Sequence, residues 1–551
     1  MGISDDVLRT VHSAYLRITY SRLTLSFFAF STIYCIVQGI IQSLLINTDL
    51  GADNLVAAIL QEGEVPHVNV PWHIQRGNET TLKICSEIPG TTWYDSCVTI
   101  YDSEVSTALN ANWTAPVGYR RADVPYAFHN TLLTKPKGTA NAGTTLQAFR
   151  NSTGAVTGVV MLTKHGDAFL SEQCTRVLLY PHQILRNSKR EEIILLVGQF
   201  WFFGISICAL IFDSIPHLLA LLSMRILETT WSSYTIWRTL DIQHRFQILV
   251  VDDSSPCRAD LFPHYFHTRL SFQIPDLVLN VTGLVCTSCM AWLLIKMYSI
   301  QTFKRVGPPN KVVRIYRVFL TLRVALHLSL FLMTAAMGLW ADQLISGPIE
   351  AISSRTGLYN ALFIFTVVTL APWCFMGSFA VRRENKIFMA VFLSVCFTYI
   401  ATWSIMFYSD VYRWTWLQWP FFASMSVASF VVLTCAGVFA IGCLLNFNKG
   451  LAHYLHVEGV LAQSDFQPEL FASRDLENGG HSASGEIRRK LSTKGSTHSM
   501  DIVDISGSPP SRSLSIKKDS NWDFDAAMDR PSIYIVELGA EGDRFKEMPH
   551  D

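Results

Sequence analysis

Seven stretches of the chain are apolar over about the 20 residues that a helix needs to cross a bilayer. They are Leu25–Ile46, Ile193–Phe212, Leu277–Met297, Val318–Trp340, Leu358–Val381, Ile387–Tyr408 and Phe421–Leu445. The first reads as an uncleaved anchor, because its apolar core is longer than that of a signal peptide and no small-residue cleavage site follows it. Aromatic residues mark several run ends, the position they favour at a membrane interface. Trp340 closes one run, and Tyr408, Tyr412, Trp414, Trp416 and Trp419 crowd the turn before Phe421. Pro372 lies inside a run, where its missing N–H predicts a kink.

The polar stretches are unequal. Asn47–Arg190 is long enough to fold by itself. Alternating or β-branched pieces such as Gly158-Val159-Val160-Met161-Leu162-Thr163 lie between Gly, Pro and Asn turns and predict a β-rich domain. After Asn446 the character changes again. Leu451, Tyr454, Leu455, Val457 and Leu461 predict a juxtamembrane amphipathic helix over 446–463. From 464 to 551 the chain is polar, rich in Ser and Gly, and expected to be disordered. Ser492 and Ser515 follow basic residues and Ser508 precedes Pro509, which makes them candidate phosphorylation sites for cytosolic kinases. Phosphate there would reverse local positive charge and release the tail from anionic lipid.

Charged residues make up 16% of the chain, against about 25% in soluble domains. The 44 basic and 44 acidic residues balance, so net charge points to no nucleic-acid partner. Their distribution is more telling, since Lys and Arg favour cytosolic loops. The arm 1–24 carries Arg9, Arg17 and Arg22. The loop after Met297 carries Lys304, Arg305, Lys311, Arg314 and Arg317, and the loop after Val381 reads Arg382-Arg383-Glu384-Asn385-Lys386. All three predict the cytosolic side.

Three N-x-S/T sequons at Asn78, Asn112 and Asn151 place the 47–190 domain on the opposite, glycosylated side. With seven spans this conflicts with the loop charges, because two spans would then separate the sequons from Lys304. A further span, Pro216–Trp237, removes the conflict. Proline suits its start, and Trp231, Tyr234 and Trp237 form an interface-like set at its end. Arg225 and Glu228 oppose the assignment, each costing roughly 2.5–3.5 kcal/mol near the bilayer centre. They stand three apart, so they face each other on a helix and can pair. The expected fold is thus an all-α polytopic membrane bundle of about eight transmembrane helices. A β-rich lumenal or extracellular domain lies between spans 1 and 2, and both termini are cytosolic. The competing reading of 216–237 is an amphipathic helix on the cytosolic surface.

Under that topology four cysteines, Cys85, Cys97, Cys174 and Cys257, lie outside the membrane in an oxidising compartment. Cys85–Cys97 is a plausible short bridge, and Cys174–Cys257 would tie the two outer segments, 47–190 and 238–276, together. Spacing alone leaves connectivity open. His264 and His267 near Cys257 invite a zinc reading, but no second cysteine is close, so no metal is expected. The motifs G-x-S-x-G, H-E-x-x-H and paired CxxC are absent, so neither an enzyme nor a cofactor is expected. Arg225, Glu228, Arg323 and His327 are the intramembrane ionisable candidates, the usual markers of a polar cavity, conduction path or switch.

Three motifs stand out in and just after the stretch from Phe212 to Lys449: Trp340-Ala341-Asp342-Gln343-Leu344, Val381-Arg382-Arg383-Glu384 and Asn446-Phe447-Asn448-Lys449-Gly450. On these the stretch resembles uncharacterised fungal multi-pass membrane proteins, and also a smut-fungus membrane protein associated with plant tumour formation. The resemblance implies a multi-pass fold and carries no binding or catalytic residue. The leading functional expectation is a surface sensor or receptor-like protein in the plasma or secretory-pathway membrane. Its partners would be the lipid bilayer, an external ligand or protein, and cytosolic kinases. The alternatives are a transporter or channel with a polar path near the ionisable residues, and a trafficking scaffold.

Overall fold

The computed structural model describes residues 12, 15–19, 21–66, 70–77, 79–88, 97–103, 139–140, 144–152, 154–163, 166–306, 310–346 and 356–449. Asn78, Asn112, Ser492, Ser508, Ser515 and the whole chain after 449 lie outside the described residues. The chain divides into two units, Met1–Gln467 and Pro468–Asp551, and every described residue belongs to the first.

Helix α1 covers Arg22–Glu62 and opens with a capping box, in which Ser21 and Thr24 each satisfy the other's backbone N–H. At 41 residues it is about 60 Å long, roughly twice a bilayer's hydrocarbon thickness. Among the described residues seven strands follow: β1 Val70–Arg76, β2 Glu79–Cys85, β3 Cys97–Asp102, β4 Thr139–Ala140, β5 Thr144–Arg150, β6 Val156–Thr163 and β7 Gly166–Ser171. Next come α2, Glu172–Val177, and the long rods α3, Leu179–Ile211, and α4, Ile215–Phe246. A π turn at Gln247–Val251 leads to α5, Tyr265–Val306. The rest is α6 Asn310–Ser346, α7 Thr356–Arg382, α8 Lys386–Met406, α9 Asp410–Gln418 and α10 Pro420–Leu444.

Seven helical segments among the described residues are long and apolar enough to cross a membrane: α1, α2 with α3, α5, α6, α7, α8 and α10. Together with α4 they pack as two four-membered rings. In the first, α1 lies against α3 and α5, while α4 closes the circle by packing on α3 and α5. In the second, α6 and α8 each contact both α7 and α10. The contact of α4 with α6 joins the rings.

The second ring has an apolar, aromatic interior. Trp373 stacks on Phe392 with ring centroids 4.8 Å apart and donates to the Phe392 carbonyl. Trp340 meets Tyr412 and Phe422.

The strands form two antiparallel meanders, β1-β2-β3 and β4-β5-β6-β7. Their alternation is the sequence's own: Leu82 and Ile84 in β2, and Leu146 and Ala148 in β5, point inward. The sheets do not stand on a separate stalk. Their core is continuous with the outer ends of the helices, where Val56, Ile59 and Leu60 of α1 meet Leu178 and Leu185, Phe246 of α4 and Phe266 of α5.

Cys85 and Cys97 are opposite partners in the β2–β3 register and are joined by a disulfide. A second disulfide joins Cys174 of α2 to Cys257 of the α4–α5 connection.

The two ends of this unit differ in chemistry. One gathers the sheets, both disulfides, α9 and the C-terminal end of α6, where Gln343 donates to Asn187 at 2.9 Å. The other gathers Arg17, which donates to the Ile211 carbonyl, and Arg323, Arg382, Arg383, Lys386 and Lys449. Glu384 accepts there from the Asn448 backbone N–H.

Two element bounds differ from the hydropathy reading. The α1 helix continues well past Ile46, and α4 and α5 reduce the 238–276 segment to a short connection around Asp252–His264. In both places polar residues end the apolar run without ending the helix, because their side chains are paired inside the ring.

In β1, the His73 ring stacks on Tyr180 at 5.1 Å, and its Nε2 is buried without a hydrogen-bond partner. Burial, aided by Arg245 and opposed by Asp241, pushes its imidazole down to about 4 from 6.5. The unfolded chain therefore binds the extra proton between these values, so stability is complete above about pH 6.5 and falls as pH drops below it. At pH 5 the loss should be on the order of 1–2 kcal/mol. Thermal midpoints of the purified full chain should drop between pH 7 and pH 5, and His73→Phe should flatten that dependence. The Cys174–Cys257 bridge closes 83 residues of sequence. Replacing both cysteines by serine should cost on the order of 2–4 kcal/mol in thermal unfolding, and a non-reducing digest should yield the linked peptides.

Candidate functional site

The first ring is lined with charge. Its origin is a stripe on α1: Tyr34, Gln38, Gln42, Asp49 and Asp53 recur at helical spacing and are all buried. Facing them are Glu191, Glu192 and Gln199 of α3, Arg225, Glu228, Ser232 and Arg238 of α4, and Arg269, Gln273, Asp276 and Asn280 of α5. These groups pair in successive rungs that descend from the sheet end towards the middle of the bundle.

At the top, Asp53 accepts from Lys189 Nζ at 2.6 Å, and His182 Nδ1 lies 3.1 Å away. Below it Arg269 is held between two carboxylates, donating to Asp49 and to Glu192, the latter at 3.1 Å. The Tyr265 hydroxyl donates to Asp49 at 2.8 Å and accepts from Arg269 at 3.0 Å. Beside this, Arg238 grips Glu191 with both terminal nitrogens, at 2.9 and 2.6 Å. Trp419 adds an indole N–H to the same carboxylate at 2.6 Å, reaching across from the second ring. Such forked guanidinium–carboxylate pairs are among the strongest polar contacts.

The next rung is Asp276, which accepts from Gln38, from Gln42 at 3.0 Å, from Ser232 at 2.6 Å and from Asn280 at 3.0 Å. Four donors from three helices converge on one carboxylate. Asn280 in turn accepts from the Tyr34 hydroxyl at 2.8 Å.

The last rung is the pair Arg225–Glu228, 3.4 Å apart and buried, with Gln199 donating to Glu228. The Arg225 guanidinium lies 3.8 Å over the Tyr34 ring and 4.9 Å over that of Phe202. A cavity of about 10 Å³, the size of one water, sits between Glu192, Glu228, Ser232, Gln273 and Asp276. Both amide atoms of Gln273 are buried there without a hydrogen-bond partner.

The ladder ends on an apolar plug of Phe27, Phe202, Leu218, Leu221, Phe331 and Leu332. Beyond the plug, at the basic end, His217 and His327 meet with ring centroids 4.3 Å apart. His327 Nδ1 donates to the Arg323 carbonyl at 2.6 Å, and Arg323 lies 5.9 Å over Phe319. The structure thus brings Arg225 and Glu228 together, as their spacing predicts, and keeps Arg323 and His327 in a different place.

Asn151 is exposed in the turn between β5 and β6, where its backbone N–H donates to the Ala155 carbonyl. Among the described residues no group of three or more His, Cys, Asp or Glu is arranged to hold a metal ion. Cys257 is taken by its disulfide.

Hydropathy missed Asp49, Asp53, Glu191, Glu192, Arg269 and Asp276 because each stands just beyond an apolar run. The signal that finds them is the three- and four-residue spacing of polar positions, carried from inside the run of α1 past its end. No protein family, curated protein or solved structure matches this chain.

The central rung yields a direct test. Arg269→Met leaves Asp49 and Glu192 buried without their cation and should cost about 3–5 kcal/mol. Neutralising both acids in the same chain, as Asp49→Asn with Glu192→Gln, should recover most of that loss. Thermal unfolding of the detergent-solubilised protein reads both.

Proposed function

We propose that this multi-pass membrane protein is a receptor-like sensor of the cell surface or secretory pathway, and not an enzyme. Its β-rich domain faces the lumen or exterior and recognises an external ligand or protein. The observation that carries this reading is the shared construction of domain and spans. The helices α1, α3, α4 and α5 supply the base of the β domain and, without interruption, the rungs of the charge ladder. A ligand that shifts the sheets therefore acts on helices whose buried partners must move together. Few alternative pairings are available to buried charges, which favours two discrete arrangements over gradual bending.

In this reading α4 is the eighth span. It is as long as α3, joined to it by a tight turn at Phe212–Ser214, and antiparallel to it, since Glu191 pairs with Arg238 and Gln199 with Glu228. A bilayer crossed by one rod is crossed by the other. Both termini then lie in the cytosol, with the tail serines 492, 508 and 515 open to kinases.

A transporter is the second reading, favoured by one observation: Glu192, Glu228 and Asp276 converge on a water-sized cavity inside the bundle. The apolar plug below it and the domain above support the sensor instead.

Glycosidase treatment should shift the wild-type protein on a gel and leave the Asn78/Asn112/Asn151→Gln triple variant unshifted, while protease added to sealed microsomes should remove tags on both termini and spare the lumenal segment. Exchanging the 70–171 segment for an unrelated domain should abolish stimulus-dependent phosphorylation of the tail. Solute flux that survives this exchange but is lost in Glu228→Gln would replace the sensor by a carrier.

A further inference from the structure

A cavity of about 350 Å³ opens between α6 and α7 at the basic end of the bundle. It is separate from the ladder and takes part in none of its rungs. Each helix contributes one stripe at helical spacing: Arg323, His327 and Leu330 on α6, and Phe375, Ser378 and Arg382 on α7. The two stripes run in opposite chain directions but carry the same order of chemistry. Both start with an arginine at the basic mouth and become apolar towards the middle of the bundle.

The groove is open at its side, since Phe375 is 73% exposed and Arg382 is exposed. Among the described residues no acidic side chain lines it. His327 is backed by His217 of α4, so the groove also adjoins the joint between the two rings.

We propose that this groove binds an anionic phospholipid from the leaflet at the basic end. The lipid phosphate sits between Arg323 and Arg382, with the Ser378 hydroxyl as a further donor, and an acyl chain lies along Leu330 and Phe375. Two guanidiniums above an apolar slot match a headgroup with uncompensated negative charge joined to a hydrocarbon chain. A soluble anion would leave the slot unfilled. The proposal rests on the chain spanning a bilayer and is independent of its being a sensor.

The test uses the full chain in nanodiscs of phosphatidylcholine, with or without added phosphatidylinositol. For the wild type, phosphatidylinositol should raise the thermal midpoint and remain bound in native mass spectrometry. R323Q/R382Q should lose both effects, while K386Q, which removes an exposed charge at the same end but outside the groove, should keep them. If the double variant does not fold, R382Q alone serves, because its exposed side chain is not packed, and it should weaken both readouts.

Three results would overturn the proposal: no shift in wild type, equal loss in K386Q, or the same shift from inorganic phosphate in phosphatidylcholine discs. The second would mean a general surface-charge effect, and the third a phosphate site without lipid.

Discussion

Arg269, sealed between Asp49 and Glu192, is the contact on which the first ring depends. It ties α5 to α1 and α3 in a single interaction, at a depth where none of the three groups reaches water. A buried ion pair of this kind adds little net stability compared with well-packed apolar residues. Its force lies in what it forbids, because any arrangement that separates the partners strands a charge. Asp276 extends the same rule with neutral donors, and Arg238 with Glu191 extends it to α4. The geometry of four helices is thus specified by pairing, while apolar packing supplies the adhesion.

The two rings divide the work on this basis. The second is held by aromatic stacking and close fit, as in Trp373 on Phe392 and Phe392 against Gly377, where a Cβ would collide with the ring. A similar fit occurs once inside the ladder, where the Tyr34 ring fills the space over Gly283 that any side chain would need. Trp419 is the residue common to both designs. Its indole belongs to the aromatic interior of the second ring, and its N–H completes Glu191 in the first.

Much of this was legible in the sequence, and the gaps have physical causes. The seven apolar helices follow from hydropathy, since each spans enough residues with at most one charge. The α4 rod was visible only indirectly, through the clash between sequons and basic loops, because Arg225 and Glu228 disguise its apolar half. Their pairing was readable from a spacing of three. The ladder was not, because hydropathy treats Asp49, Glu192 and Asp276 as the ends of spans, and only the folded ring reveals that each has a partner from another helix. The β strands were legible as a class from stretches such as Val159-Val160-Met161, but their base on the helix ends was not. That base depends on α1 continuing past Ile46, and nothing local to the strands encodes it.

The Cys174–Cys257 bond gains a meaning when synthesis is considered. Its two cysteines bracket α3 and α4 and nothing else of comparable length. The bond cannot form until both rods have been made and their outer ends lie side by side. Oxidation there closes a hairpin in which buried Arg238 grips Glu191. The disulfide is therefore a covalent record that the two rods have been brought together, independent of the ring that α5 and its Arg269 complete.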